Sequence, residues 1–191
     1  MTTRWAPSPI WKGETVAVLA TGPRMSEEIA QSYRRHRVIV VNDAARVAQW
    51  ADMLVAFDLG HPANRHLEDF AGMRVCAHES ELDALCMGQL CELVEVEPGR
   101  HAVILNSGLG AVRIAAAMGA ARIILAGFEP EVPRHFYDDE VDTGEYVGVR
   151  FGLTKIVKEL RAKGVTVEFD PRSATEPGLS TAQPSGSPSI S

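Results

Sequence analysis

The chain has 191 residues, 46% of them hydrophobic and 23% charged, with a net charge of −6 at pH 7. That is long and apolar enough to bury one sizeable core, and the acidic balance lacks the dense Lys/Arg stripe that neutralising nucleic-acid phosphates needs, which argues against a nucleic-acid partner. Apolar runs fall well short of the ~18 residues of a membrane-spanning helix, Trp5 and Pro7 stand where a signal peptide needs a continuous apolar core, and Cys76, Cys86 and Cys91 are an odd set without CxxC spacing; a reduced, cytoplasmic protein without membrane association is expected.

In chain order, residues 1–14 (with Trp5 and Trp11) read as an N-terminal arm that lies on the surface or packs through its tryptophans. Thr15 to Ala20 predicts a strand, and Ser26 to His36 a helix with Glu27 and Glu28 in its first turn, closed by the basic residues Arg34, Arg35, His36 and Arg37. Arg37 to Val41 is a second strand, followed by a short helix over Ala44 to Trp50 and a third strand from Met53 to Phe57 that ends at Asp58. A helix around Asn64 to Phe70, a strand at Met73 to Cys76 and another over Cys91 to Val96 follow. Asn106 or Ser107 caps an alanine-rich helix closed by Gly119, and Arg122 to Ala126 is a strand. A helix from about Gly144 to Lys163 carries Val149, Leu153, Ile156, Val157 and Leu160 on one face; Gly164 stops it before a last strand, Val165 to Phe169. The Ser, Pro, Gly and Thr content from about Thr175 predicts a disordered tail over residues 175–191. Strands alternating with helices predict a Rossmann-like α/β domain over residues 15–174, with a predominantly parallel sheet covered on both faces.

In such a sheet ligands collect outside the carboxyl ends of the strands. The polar residues that follow the predicted strands are Thr21, Gly22, Pro23 and Arg24, then Asn42 and Asp43, then Asp58, then Glu129. Asn106, Ser107 and Gly108 open the alanine-rich helix, where Gly108, Gly110 and Ala111 would let a ligand approach the backbone. Each has a plain alternative. Gly22-Pro23 serves equally as a tight strand-to-helix turn, Asn42 or Asp43 as a helix cap, Asp58 as a turn residue and Asn106-Ser107 as an N-cap. Neither GxGxxG nor GxxxxGK[ST] is present, so a dinucleotide fingerprint and a P-loop are both absent. The long segment from Pro130 to Glu145 carries Arg134, His135, Tyr137, Asp138 and Asp139, a set suited to anion binding, proton transfer and metal binding or to a solvated surface loop. His61 and His66 match no metal-ligand spacing.

The order of these motifs, ATGP, VVND, WADMLVAFD, NSGLGAVRIAAAMGAARIILAGFE and then a His-bearing loop, resembles the phage and prophage Rossmann-like proteins of the 6-hydroxymethylpterin diphosphokinase MptE-like group. More distantly it is similar to the family 42 sialyltransferases. The resemblance runs over roughly residues 16–170. It implies a nucleotide or nucleotide-sugar held by Gly22, Asn42, Ser107 and Gly108, with His135 matching a catalytic histidine of the sialyltransferases. The chain departs from these relatives at Arg24, where a serine is common, and in HFYDDE.

The resulting expectation is a nucleotide- or phosphorylated-ligand-binding protein that transfers a diphosphoryl or glycosyl group. Thr21, Gly22, Pro23, Arg24, Asn42, Asp43, Asn106, Ser107 and Gly108 would bind the nucleotide, with His135 and Asp58 as catalytic residues. Mg²⁺ is the cation expected for diphosphoryl transfer, held by Asp138 and Asp139. The alternative is a non-catalytic nucleotide-binding or protein-interaction module of phage origin. Assembly into a homo-oligomer is left open.

Overall fold

The computed structural model describes residues 4–57, 70–76, 89–91, 94–97, 100–102, 106–129 and 146–176. Its strands are β1 (Arg4–Trp5), β2 (Thr15–Leu19), β3 (Arg37–Val41), β4 (Met53–Val55), β5 (Met73–Cys76), β6 (Gln89–Cys91), β7 (Val94–Glu97), β8 (Arg100–Ala102), β9 (Arg122–Ala126) and β10 (Thr166–Phe169). The helices are α1 (Glu27–Ser32), α2 (Ser107–Ala117) and α3 (Tyr146–Ala162), with a 3-10 helix over Asn42–Arg46. Eight strands form one sheet in the order β1-β6-β5-β4-β3-β2-β9-β10, every neighbouring pair parallel. This is the expected α/β architecture. The short arm strand β1 joins the sheet at its edge beside β6.

The two-residue period of a strand sends alternate side chains to opposite faces, and both faces here are apolar. From β2, Val16 and Val18 point to one core with Ile39, Val41, Val55, Ile123 and Leu125, which α2 covers with Val112, Ile114 and Met118 and α3 with Leu153, Ile156 and Leu160. Ala17 and Leu19 point to the other, with Val38, Val40 and Leu54, covered by Ile29, Ala30 and Tyr33 and by Ala44 and Ala45. Burial on both sides is why these strands read as unbroken runs of Val, Ile, Leu and Ala. Trp11 of the arm is 6% exposed and packs in the first core, its backbone N–H donating to the Met118 carbonyl at 2.8 Å.

Three local readings change. The segment expected as one strand over Cys91 to Val96 holds two, β6 in the main sheet and β7, which pairs antiparallel with β8. Helix α1 stops at Ser32 rather than His36: the Ser32 hydroxyl donates back to the Ile29 carbonyl at 2.6 Å, a local bond that competes with the helical ladder. The predicted helix after β3 is a single 3-10 stretch that begins at Asn42 itself. The helix expected around Asn64 to Phe70 lies outside the described residues apart from Phe70, which is buried in the second core. Of the tail expected as disordered over residues 175–191, Thr175 and Glu176 are instead fixed to the fold, the Thr175 N–H donating to the Phe128 carbonyl and Glu176 pairing with Arg161, and the rest lies outside the described residues.

Candidate functional site

Because all eight strands run parallel, their carboxyl ends lie along one edge, and β2 holds a special place in it. From β2 the chain proceeds outward through β3, β4, β5 and β6 on one side, then returns to place β9 and β10 on the other. The strand order therefore reverses between β2 and β9. In open α/β sheets such a reversal is where ligands bind.

The turn after β2 is built by close backbone approach to the segment after β9. The Ala20 N–H donates to the Ala126 carbonyl at 2.8 Å and the Gly22 N–H to the Gly127 carbonyl at 2.9 Å. A Cβ on Gly22 would stand 2.5 Å from the Gly127 oxygen, so the glycine is required by this contact. Gly127 is itself left-handed, at φ 73°. Thr21 is buried, Pro23 is half-buried and Arg24 is exposed. The Met25 N–H closes the turn on the Gly22 carbonyl at 2.9 Å, and the Ser26 hydroxyl caps α1 by accepting the Ile29 N–H.

Glu129 defines the chemistry of this turn. Its side chain, 4% exposed, accepts the Arg24 backbone N–H at 2.9 Å on one carboxylate oxygen and the Arg24 Nε–H on the other. The Arg24 guanidinium, 46% exposed, also donates to the Thr175 hydroxyl at 3.1 Å. Thr175 arrives on a strap that follows β10. Its N–H donates to the Phe128 carbonyl, and slightly earlier along the strap the Ser173 carbonyl accepts the Gly127 N–H at 2.8 Å. The strap is anchored by Asp170, whose carboxylate accepts from the Tyr33 hydroxyl and from the Arg172 N–H, Nε–H and NH2 group. Burial and the bond to Asp170 push the Tyr33 hydroxyl up to about 12. Burial also presses the Asp170 carboxyl upward, but the bonds from Arg172 and Tyr33 together outweigh it and hold the group below its ordinary range.

The next turn begins at Asn42, whose backbone is left-handed at φ 48°, a conformation asparagine tolerates better than other residues with a Cβ. The Asp43 carboxylate is fully buried and pairs with Arg46 Nε at 2.8 Å. At the end of β4, the Ser107 hydroxyl, from the first turn of α2, accepts the Phe57 N–H at 2.8 Å. Asn106 is the N-cap, its Oδ1 accepting the Leu109 N–H at 3.0 Å. The amino end of α2 is thereby fixed above the carboxyl edge, with Gly108 against the Phe128 ring that follows β9.

The structure thus gathers Thr21, Gly22, Pro23, Arg24, Asn42, Asp43, Asn106, Ser107 and Gly108 along one edge. One expectation is corrected. Gly110 and Ala111 do not open the backbone to a ligand: a Cβ on Gly110 would stand 2.3 Å from the Phe57 ring, and Ala111 is buried in the core, so both serve helix-to-sheet packing. Asp58, His135, Asp138 and Asp139 lie outside the described residues, among which no group of three or more His, Cys, Asp or Glu side chains is placed to hold a metal ion. Sequence reasoning placed Glu129 at a strand end without its partner and missed Asp170 and Thr175; position directly after a strand or just beyond β10 was the available signal. No described helix is long and apolar enough to cross a membrane.

No family model matches the chain, and no curated protein matches it. Among solved structures it is similar to one described as a probable thiamine pyrophosphokinase from Staphylococcus saprophyticus subsp. saprophyticus, with a TM-score of 0.46 and 10% sequence identity over 82% of this chain. The chain spans 64% of that protein's length. The likeness is one of distant fold and carries no argument about the site.

Proposed function

We propose that this protein binds a phosphorylated small molecule, of nucleotide or nucleotide-sugar type, in the crevice at the carboxyl ends of β2 and β9, and that it transfers a diphosphoryl or glycosyl group. The reversal of strand order at β2 carries the reading, because open α/β sheets bind ligands at such a reversal and three polar turns follow along that edge. Asn42 and the amino end of α2 face that edge, and the N–H groups of a helix's first turn suit an anion. In this reading, which extends the MptE-like and sialyltransferase resemblance of the motifs, His135 moves the proton. Asp58, Asp138 and Asp139 supply carboxylates for Mg²⁺, which would neutralise phosphate charge when bound. These last roles follow from chain position alone.

One observation favours a second reading, a binding module without turnover: Arg24, Arg46 and Arg172 at this edge each have a carboxylate of the protein as partner. Thermal shift with nucleoside mono-, di- and triphosphates and nucleotide sugars, with and without Mg²⁺, tests binding. A true ligand at a hundred times its Kd is expected to stabilise the fold by about 2.7 kcal/mol. No shift with any of them would sink the proposal. With a ligand in hand, Asn42→Ala is expected to weaken binding, whereas His135→Ala spares binding and abolishes turnover; unchanged turnover in His135→Ala removes that residue from the mechanism.

A further inference from the structure

The turn after β2 has the makings of an anion cradle: a glycine with no Cβ, a backbone N–H and a guanidinium, all within Gly22 to Arg24. Its occupant is the protein's own. The Glu129 carboxylate takes the Arg24 N–H on one oxygen and the Arg24 Nε–H on the other. It also lies so close over Gly22 that a Cβ there would meet its Oε2 at 2.9 Å. With 4% of its side chain exposed, Glu129 is packed into this place rather than lying across its mouth.

We propose that Glu129 is a specificity-determining residue of the crevice: its carboxylate fills the anion position of the β2 turn and bars a ligand phosphate from it, so that the phosphate is held by other groups of the edge. This rests on the reading of the crevice as a phosphorylated-ligand site and adds which part of it the phosphate does not use. A second anion approaching Arg24 meets a fixed negative charge, and like charges in close contact oppose binding. Displacing the carboxylate instead would strip a buried charge of its partner, which is strongly unfavourable. Arg24, the residue that departs from the resemblance, is then a partner for Glu129 and not a phosphate ligand.

The test is titration of inorganic phosphate, at fixed ionic strength against a chloride control, into the full chain and three variants. Glu129→Ala empties the cradle, and Glu129→Gln keeps its shape and an acceptor for the Arg24 N–H while removing the charge. Both are expected to bind phosphate more tightly than the unmodified protein, Glu129→Ala by about tenfold or more. Adding Arg24→Ala to Glu129→Ala is expected to abolish that gain. The proposal is overturned if folded Glu129→Gln or Glu129→Ala binds phosphate no more tightly than the unmodified protein, or if the double variant keeps the gain. Should Glu129→Ala not fold, Glu129→Gln decides the matter. Failure of the nucleotide screen together with a gain in these variants would count against the functional reading alone; a successful screen without the gain would count against this inference alone.

Discussion

Gly127→Ala is expected to destabilise the fold by about 3 kcal/mol or more, combining a left-handed backbone with a steric clash. Gly127 sits at φ 73°, and a Cβ there would fall 2.2 Å from the Ala20 carbonyl oxygen, a backbone atom that cannot rotate away. Its neighbours have no slack, because the Ala20 N–H and the Gly22 N–H are both bonded across the same gap. Gly164→Ala is the control: Gly164 has φ 84°, but a methyl group at its Cα would meet nothing within 4 Å, so only the backbone penalty of about 1–2 kcal/mol is expected. Urea unfolding of both variants separates the two contributions. A loss below about 1 kcal/mol for Gly127→Ala would mean that β2 and β9 do not meet as described.

Asp170→Ala is expected to lower stability by about 3 kcal/mol, because it removes the carboxylate that four donors share and takes from the buried Tyr33 hydroxyl the acceptor of its proton. The pH dependence gives the sign. The Asp170 carboxyl is held below its ordinary value of 3.8, so its contribution is complete above that value and is lost as pH falls through the folded-state value. Tyr33 moves the other way, raised from 10.0 to about 12, and its contribution is lost as pH rises between those values. Asp170→Asn is therefore expected to flatten the acid limb of a stability profile, and Tyr33→Phe the alkaline limb. Unchanged limbs in both variants would contradict the anchoring of the strap. Since Thr175 rides on that strap, Asp170 also supports the Arg24 contact from a distance.

How far the sequence alone reaches depends on the range of the interaction. Strands buried on both faces are continuous apolar runs, and three of them, Arg37–Val41, Met73–Cys76 and Arg122–Ala126, fall at the boundaries read from the sequence. The cap at Asn106 is equally local, a side chain and an N–H three residues on, and so is the one at Ser26, which reads from the sequence as the first residue of its helix. What stayed hidden is long-range: Arg24 and Glu129 are 105 residues apart, and Tyr33 and Asp170 are 137 apart. A glycine is ambiguous for a related reason, since room for a ligand and room for a ring both demand a missing Cβ. At Gly110 the Phe57 ring fills the space, and at Gly22 the Gly127 carbonyl and Glu129 do. The sequence therefore indicates the edge where chemistry collects but not which of its charges are already paired.

The proposed ligand lies at the reversal of strand order between β2 and β9. The direct measurement is amide-resolved NMR titration with the best nucleotide from the thermal screen. Shifts are expected to concentrate at Thr21 to Met25, Asn42 to Arg46, Ser107 to Leu109 and Gly127 to Glu129. Shifts concentrated instead at the opposite edge, around Glu14, Arg37 and Asp52, which are joined there by ion pairs, would contradict that placement.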